Sequence, residues 1–277
     1  MDLKEANMAG KTLLDKLKNG KTVYGTCITS TAPLWGKAAR NAGLDFVFLD
    51  TEHVPLERME VAALCQLHSA MGIAPIVRIP SPDPFRACQV LDAGATGVVA
   101  PYIETVEQVQ EMVGAIKFRP LKGKRLQKAL QNPLTVEEEL KQYLENYNRD
   151  KLCIINIESI PAVENLDNLL KVPGLDGVFI GPHDLSVNMG LPEMYDHPDF
   201  EKIVELVVRK CRENGIAVGI HFSESPERQV KWMKAGANII IHSSDIAIFS
   251  QKLATDIQLI RNGGNEEKQI ATEKIVI

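Results

Sequence analysis

The residues with the clearest capacity for chemistry follow an apolar run early in the chain. Residues 46–49 are all apolar, and Asp50, Glu52 and His53 come directly after them. An unbroken apolar run predicts a strand buried on both faces, as in a parallel sheet. Ligands of such sheets bind at the carboxyl ends of the strands, and a buried carboxylate is costly unless it is paired or binds metal. These three side chains therefore predict a functional site.

Further charged residues stand at equivalent places after later apolar runs. Arg78 lies near the end of the third run, Glu158 follows the fifth and Asp184 follows the sixth. A single Asp or Glu at such a place is more often a helix cap, and a lone Arg or His is more often a local hydrogen-bonding partner. The occurrence of all of them at the same ends favours one shared site.

This set of residue types indicates a particular chemistry. Two carboxylates with open coordination positions suit a hard divalent cation such as Mg²⁺ or Mn²⁺ better than a zinc cage. An arginine beside such a cation can stabilise an oxyanion, and a histidine held by a carboxylate is a base near neutral pH. Together they predict enolate chemistry on a 2-oxo acid.

The elements that must position these residues alternate regularly between strand and helix. Similar segments, AGLDFVFLD, AGATGVVAP, PGLDGVFIG and AGANIIIHS, lead into the even-numbered strands. This repetition favours a closed (β/α)8 TIM barrel, predicted as a single domain over residues 1–277 with a polar tail from about residue 263. The predicted strands are 23–29, 46–50, 74–79, 97–101, 151–157, 177–180, 217–222 and 238–242.

One segment interrupts this alternation. Residues 118–134 lack periodicity and carry basic residues that include Lys122, Lys124, Arg125 and Lys128, so we predict a long loop there. Long loops in compact domains are often functional, but a solvated excursion is equally compatible with the sequence. A helix is predicted next over 135–146, where Thr135 and Glu138 match a capping box.

Composition excludes several classes of partner. The net charge of -5 argues against nucleic acid and against an anionic membrane surface. No apolar run approaches the roughly 20 residues of a membrane span, and the first residues do not resemble a signal peptide. Five cysteines without C-x-x-C spacing indicate reduced thiols. We therefore predict a cytoplasmic protein.

Five ordered segments resemble the signatures of a known family. LDTEHVP, PIVRIP, LDAGATGVVAP, NIES and DGVFIGPHDLSVNMG are similar to those of the HpcH/HpaI family of metal-dependent (class II) pyruvate aldolases, over about residues 20–260. The resemblance implies a (β/α)8 barrel whose last helix is exchanged between subunits of a homo-oligomer, commonly a hexamer. It also implies reversible cleavage of a 4-hydroxy-2-oxo acid to pyruvate and an aldehyde, through a pyruvate enolate on bound Mg²⁺, Mn²⁺ or Co²⁺.

The resemblance further implies roles for individual residues. Glu158 and Asp184 would bind the metal, and Arg78 would stabilise the enolate. His53 and Asp92 would act through a water molecule as an acid–base dyad, although Asp92 alone reads only as a helix end. The other implied positions support these groups or receive the pyruvate carboxylate, and they are Asp50, Glu52, Gly181, Pro182 and His183.

Several positions depart from the family pattern. Asn156 stands where the family generally has Gln, and Leu126 stands where a glycine is common. His221 and His242 end the last two predicted strands, where the family tends to small or apolar residues; a hydrogen-bonded histidine is the more frequent role there. The pyruvate half of the site is thus intact and the aldehyde half is altered, which leaves the acceptor open. Oxaloacetate decarboxylation, acyl-CoA cleavage and a non-catalytic barrel that binds 2-oxo acids remain alternatives.

Overall fold

Eight parallel strands form a closed barrel in the order of the chain, and β1 pairs with β8. The computed structural model describes residues 8–132, 136–222 and 225–263. The predicted (β/α)8 barrel is confirmed, with strand ends within two residues of those expected. The strands are β1 (Val23–Cys27), β2 (Phe46–Asp50), β3 (Ala74–Arg78), β4 (Gly97–Ala100), β5 (Leu152–Ile157), β6 (Gly177–Ile180), β7 (Ala217–Phe222) and β8 (Ile239–Ser244).

Helices follow the strands around the outside of the barrel. The sequence predicts one helix near 162–171, but the structure divides it into two, Ile160–Glu164 and Leu166–Leu169. A further short helix, Pro182–Asn188, begins directly after β6 where none was predicted. The helices are α1 (Met8–Lys18), α2 (Leu34–Asn41), α3 (Arg58–Ala70), α4 (Pro84–Asp92), α5 (Val106–Lys117), α6 (Gly123–Gln131), α7 (Glu138–Tyr147), α8 (Ile160–Glu164), α9 (Leu166–Leu169), α10 (Pro182–Asn188), α11 (Pro198–Glu213), α12 (Pro226–Ala235) and α13 (Asp245–Gly263).

Two apolar cores lie on opposite faces of the strands. Alternate strand residues point outward and pack against the helices in the larger core, as Val47, Leu49 and Val77 do. The other set fills the barrel interior and includes Phe46, Phe48, Ala74, Ile76, Val99, Ile154, Phe179 and Ile241. Each fully buried Leu, Ile or Phe side chain contributes about 1.5–3 kcal/mol through removal of apolar surface from water. The same alternation directs the polar residues that follow the inward set into one end of the barrel.

Glycine allows close approach of strands inside the barrel. A Cβ atom at Gly219 would lie 2.1 Å from the backbone oxygen of Ile239 on the neighbouring strand. At Gly25 it would lie 2.5 Å from the ring of Phe46. The close packing at these two points therefore requires residues without a side chain.

The prediction of a long loop over 118–134 is wrong. This segment contains α6, whose Leu126 and Leu130 face Gly114 of α5. The segment lies between α5 and β5, so it is at the amino-terminal end of the barrel. Thr135 of the predicted capping box lies outside the described residues, and α7 begins at Glu138. The predicted polar tail, residues 264–277, also lies outside them.

Among the described residues, no helix has the length and apolar character needed to cross a bilayer. Four of the five cysteines are buried and the fifth is half-buried, all without disulfides. Burial raises the pKa of the Cys65 thiol to about 12, so this group is a thiol at neutral pH. The cysteines thus serve as small apolar side chains, as predicted.

Candidate active site

A cavity of about 620 Å³ opens at the carboxyl-terminal end of the barrel. This is the end at which TIM barrels hold their active sites. Seven of the predicted site residues line it, namely His53, Arg78, Asn156, Gly181, Pro182, His183 and Asp184. The expectation that strand-end residues converge on one face therefore holds for these positions.

Arg78 and Asp50 form a buried bidentate ion pair at the cavity floor. Arg78 Nε lies 2.9 Å from Oδ1 of Asp50, and Nη2 lies 2.6 Å from Oδ2. Burial alone would raise the pKa of Asp50, but the hydrogen bonds and charge of Arg78 outweigh it and hold that pKa below its usual range. Asp50 is therefore ionised at neutral pH, and it fixes the guanidinium in one orientation over the ring of Phe48, 5.6 Å from its centroid.

The third guanidinium nitrogen of Arg78 faces two more carboxylates. Nη1 lies 3.2 Å from Oε2 of Glu52 and 3.9 Å from Oε1 of Glu158. Burial raises the pKa of Glu52 and Glu158, and the charge of Arg78 offsets this only in part. One cation is thus shared among three acidic side chains.

Glu158 is positioned by neighbours on both sides. Its Oε1 accepts a hydrogen bond from Nδ2 of Asn156 at 2.6 Å, and its Oε2 accepts one from the backbone N–H of Tyr102 at 2.9 Å. Gly181 leaves the room for this carboxylate, since a Cβ atom there would lie 2.5 Å from Oε1. A glycine at the end of β6 is therefore required by the glutamate at the end of β5.

Tyr102 is a site residue that sequence reasoning missed. Its backbone φ of +47° is unusual for a residue with a side chain, and it links two acidic groups. The phenol donates to Oδ1 of Asp184 at 3.2 Å, while the backbone N–H holds Glu158. Burial and the charge of Asp184 raise the pKa of Tyr102 to about 12, so the phenol keeps its proton. Its place two residues after β4 was the only signal in the sequence.

Two histidines stand at the mouth of the cavity beside carboxylates. Nε2 of His53 lies 3.8 Å from Oε2 of Glu52, and the His53 side chain is half exposed. Nδ1 of His183 lies 3.8 Å from Oδ1 of Asp184. Both histidines can exchange protons with solvent and with a ligand in the cavity, which is what a proton carrier requires.

The structure does not bring Asp92 to this cavity. Asp92 is the last residue of α4, and helix α4 returns the chain from the carboxyl end of β3 to the amino end of β4. Its carboxylate pairs with Arg119 at that opposite end of the barrel. Within one chain, the predicted dyad of His53 and Asp92 is therefore not formed.

The donor set at the floor of the cavity fits a hard divalent cation. Within the described residues, no group of three or more His, Cys, Asp or Glu side chains is arranged to bind a metal ion by itself. Two buried oxygens nevertheless lack hydrogen-bond partners there, Oε2 of Glu52 and Oδ1 of Asn156. With the carboxylates of Glu158 and Asp184 they form an all-oxygen environment. Mg²⁺ commonly uses one or two protein carboxylates and keeps water or substrate oxygens in its other positions.

Comparison with known proteins places this geometry in context. The HpcH/HpaI aldolase/citrate lyase family matches the chain over residues 25–252. A protein of Klebsiella pneumoniae subsp. pneumoniae, named 2-keto-3-deoxy-L-rhamnonate aldolase, is 30% identical over 254 residues, which cover 91% of this chain and 94% of the relative.

Solved structures show the same similarity. The HpcH/HpaI aldolase from Desulfitobacterium hafniense DCB-2 is 27% identical, with a TM-score of 0.78, over 89% of this chain and 95% of that one. The citrate synthase SbnG is also 27% identical, with a TM-score of 0.78, over 92% of this chain and 99% of that one. Likeness at this level covers nearly the whole length of each protein.

Proposed function

Because the chain belongs to the HpcH/HpaI aldolase/citrate lyase family, we propose that it is a divalent-metal-dependent aldolase. The reaction is the reversible cleavage of a 4-hydroxy-2-oxo acid to pyruvate and an aldehyde. The observation that carries this proposal is the cluster in which Arg78 lies among Asp50, Glu52 and Glu158 at the carboxyl end of the barrel. Such a cluster can hold a cation and an oxyanion side by side.

The metal-binding role belongs to Glu158 and Asp184. A divalent cation bound there, Mg²⁺, Mn²⁺ or Co²⁺, supplies Lewis-acid polarisation of the 2-oxo group. Tyr102 holds both carboxylates, one through its backbone and one through its phenol. Neighbours that orient metal ligands typically affect metal affinity 10–100-fold, so we give Tyr102 that positioning role.

Arg78 stabilises the negative charge that develops on the 2-oxo oxygen. Asp50 holds two of its nitrogens, Nε and Nη2. The third, Nη1, is therefore the one that contacts a bound substrate. A fixed donor aimed at developing charge is worth about 10²–10³ in rate. Residues Gly181, Pro182 and His183 line the adjacent wall, and we assign the pyruvate carboxylate to it.

His53 carries the proton to and from the aldol hydroxyl. Its half-exposed ring lines the cavity, and Glu52 is the carboxylate beside it in the same chain. We therefore assign to Glu52 the role of carboxylate partner of His53, which the resemblance gave to Asp92. Histidine is the side chain most often used to carry protons in general acid–base catalysis.

The substrate class follows from the relatives and from the position of the basic segment. Relatives named 2-keto-3-deoxy-L-rhamnonate aldolase suggest a 2-keto-3-deoxy sugar acid. Acyl-CoA cleavage would need a basic channel for the cofactor part of the substrate. The basic segment over residues 118–132 lies after α5, at the amino-terminal end of the barrel, so this reaction is disfavoured. Oxaloacetate decarboxylation uses the same pyruvate-forming groups and is the second reaction to assay.

The test uses pyruvate alone and so needs no knowledge of the aldehyde. The protein is incubated with pyruvate in D₂O with Mg²⁺ or Mn²⁺, and loss of the methyl proton signal is followed by NMR. We expect exchange that stops on addition of EDTA and is abolished in Glu158→Gln. The matched control is Glu107→Gln, an exposed glutamate on α5. Absence of exchange in folded protein that binds Mn²⁺ would contradict the proposal.

A further inference from the structure

His221 occupies the part of the cavity that the pyruvate half does not use. The groups assigned to pyruvate and metal end or follow β2 to β6, which leaves the sector formed by β7, β8 and β1. His221 is near the end of β7, two residues after inward-facing Gly219, and its ring lines the cavity. It contacts Phe48 edge to face, with ring centroids 5.7 Å apart. The ring is thus packed against the reaction centre without belonging to it.

The hydrogen bonding of His221 determines its tautomer. Nε2 lies 3.2 Å from the backbone oxygen of Ser243, which can only accept a hydrogen bond. Nε2 therefore carries the hydrogen. Burial, with a smaller contribution from the charge of Arg78, lowers the pKa of His221 to about 4, so the ring is neutral at pH 7. Nδ1 is then an acceptor with a free lone pair.

Nδ1 of His221 is available to a ligand. It makes no hydrogen bond within the described part of the chain. The atom is also not buried, in contrast to the unpartnered atoms of the core. His242, on the adjacent strand, differs: its Nδ1 is buried and unpartnered, and its ring is not part of the cavity wall. The accessible acceptor of His221 therefore faces the space where substrate binds.

An acceptor in this sector selects for a donor on the substrate. Pyruvate offers a carboxylate and a 2-oxo group, neither of which donates a hydrogen bond. A simple aldehyde offers none either. The surrounding wall is largely apolar, with Val54, Pro55, Tyr195 and Phe222, so a donor there would have few other partners.

Cleavage of a 2-keto-3-deoxy sugar acid releases a 2-hydroxyaldehyde, and we propose that Nδ1 of His221 accepts a hydrogen bond from the 2-hydroxyl group of that aldehyde. This inference rests on the proposed aldolase function and specifies its acceptor half. His221 is then the residue that distinguishes a hydroxylated aldehyde from the unsubstituted aldehyde of the same length. A polar site of this kind rejects a substrate that lacks the hydroxyl, because its own acceptor is left unpaired.

The experiment compares two aldehydes that differ only in this hydroxyl. The value of kcat/KM for addition of pyruvate is measured with 2-hydroxypropanal and with propanal. We expect the native protein to prefer 2-hydroxypropanal and His221→Phe to reduce that preference about fivefold, the effect of one neutral hydrogen bond. His221→Asn should retain part of the preference, because its side-chain amide oxygen can take the place of Nδ1. His242→Phe is the matched control and should leave the preference unchanged.

Pyruvate exchange in D₂O separates failure of this inference from failure of the aldolase proposal. Unchanged exchange in His221→Phe, together with a reduced preference, supports the inference. If pyruvate exchange persists in His221→Phe, the inference is overturned by an unchanged preference for 2-hydroxypropanal. An equal loss of kcat/KM with both aldehydes overturns it as well. Absence of pyruvate exchange in the native protein overturns the aldolase proposal, and with it this inference.

Discussion

At the scale of single residues, the site is dominated by an excess of negative charge. Three carboxylates, from Asp50, Glu52 and Glu158, lie around one guanidinium, and Asp184 adds a fourth at the same end of the barrel, which leaves three negative charges in excess when all are ionised. The raised pKa values of Glu52 and Glu158 show that Arg78 does not compensate both. A divalent cation would relieve this excess, and so the electrostatics of the apo site favour metal binding.

Sequence identified those residues that continue the alternation of a strand. Arg78 and Glu158 were predicted because they stand at the ends of apolar runs, whereas Asn156 was singled out only by the family resemblance. Tyr102 was missed because its role depends on an unusual backbone conformation and on contacts to two neighbouring strands. Asp92 was assigned by resemblance, although the sequence alone placed it at a helix end, and the structure places it there.

The histidine at the end of β7 should make stability depend on pH. The pKa of His221 is lowered to about 4 in the folded state, against about 6.5 when unfolded, so the unfolded chain binds more protons between these values. This contribution to stability is complete above pH 6.5 and is lost as the pH falls towards 4. We expect native protein to lose roughly 2–3 kcal/mol more than His221→Phe between pH 7 and 4.5.

Urea unfolding of both proteins across this pH range measures the difference. Acidic groups common to the two, including Asp50, cancel in the comparison. Parallel pH profiles for the native protein and His221→Phe would show that His221 titrates normally, and would contradict its burial in the neutral form.

At the scale of elements, local signals were sufficient for the strands and insufficient for one helix. The strands are short apolar runs, and all but β5 follow a helix-ending glycine, so both signals lie within a few residues of sequence. Helix α6 was missed because its apolar residues are few, and they matter only through packing on Gly114. The short helix α10 was missed because its first residues belong to the site motif.

The spacing of β7 and β8 provides a test at this scale. Gly219→Ala should destabilise the fold by about 3 kcal/mol, because the new methyl group would meet the backbone of Ile239, which cannot move as a side chain can. Gly177→Ala, on the adjacent β6, adds a Cβ at an ordinary contact distance of 3.4 Å from Ile154 and Ile239. It should be nearly neutral. Thermal or urea unfolding compares them, and equal effects would refute the steric explanation.

At the scale of the whole molecule, the last helix leaves much apolar surface uncovered. Phe249, Leu253, Leu259 and Ile260 of α13 are 47–72% exposed, a concentration of apolar side chains unusual for a monomer surface. The homo-oligomer with an exchanged last helix that the resemblance implies remains a prediction, and this exposed face is where it can be tested. The family is confirmed by the match over residues 25–252.

Charge on this helix should weaken subunit association. The double variant Leu253→Glu, Ile260→Glu is expected to lower the molar mass in solution, because two carboxylates would have to be buried in the interface. Gln251→Glu, an exposed polar position on the same helix, is the control. Light scattering coupled to size exclusion gives the masses. An unchanged mass in the double variant would place the interface elsewhere.

Closure of the barrel has a consequence for how the protein is made. Strand β1 pairs with β8, so residues some 215 positions apart must meet, and the buried carboxylate of Asp245 binds the backbone and hydroxyl of Thr29 at the same seam. A nascent chain cannot complete this ring until β8 and the start of α13 have left the ribosome. Until then, the edges of β1 and of the most recently made strand remain open to other chains. Closure of the ring by β8 is therefore the step that both encloses the active site and removes the main route to aggregation.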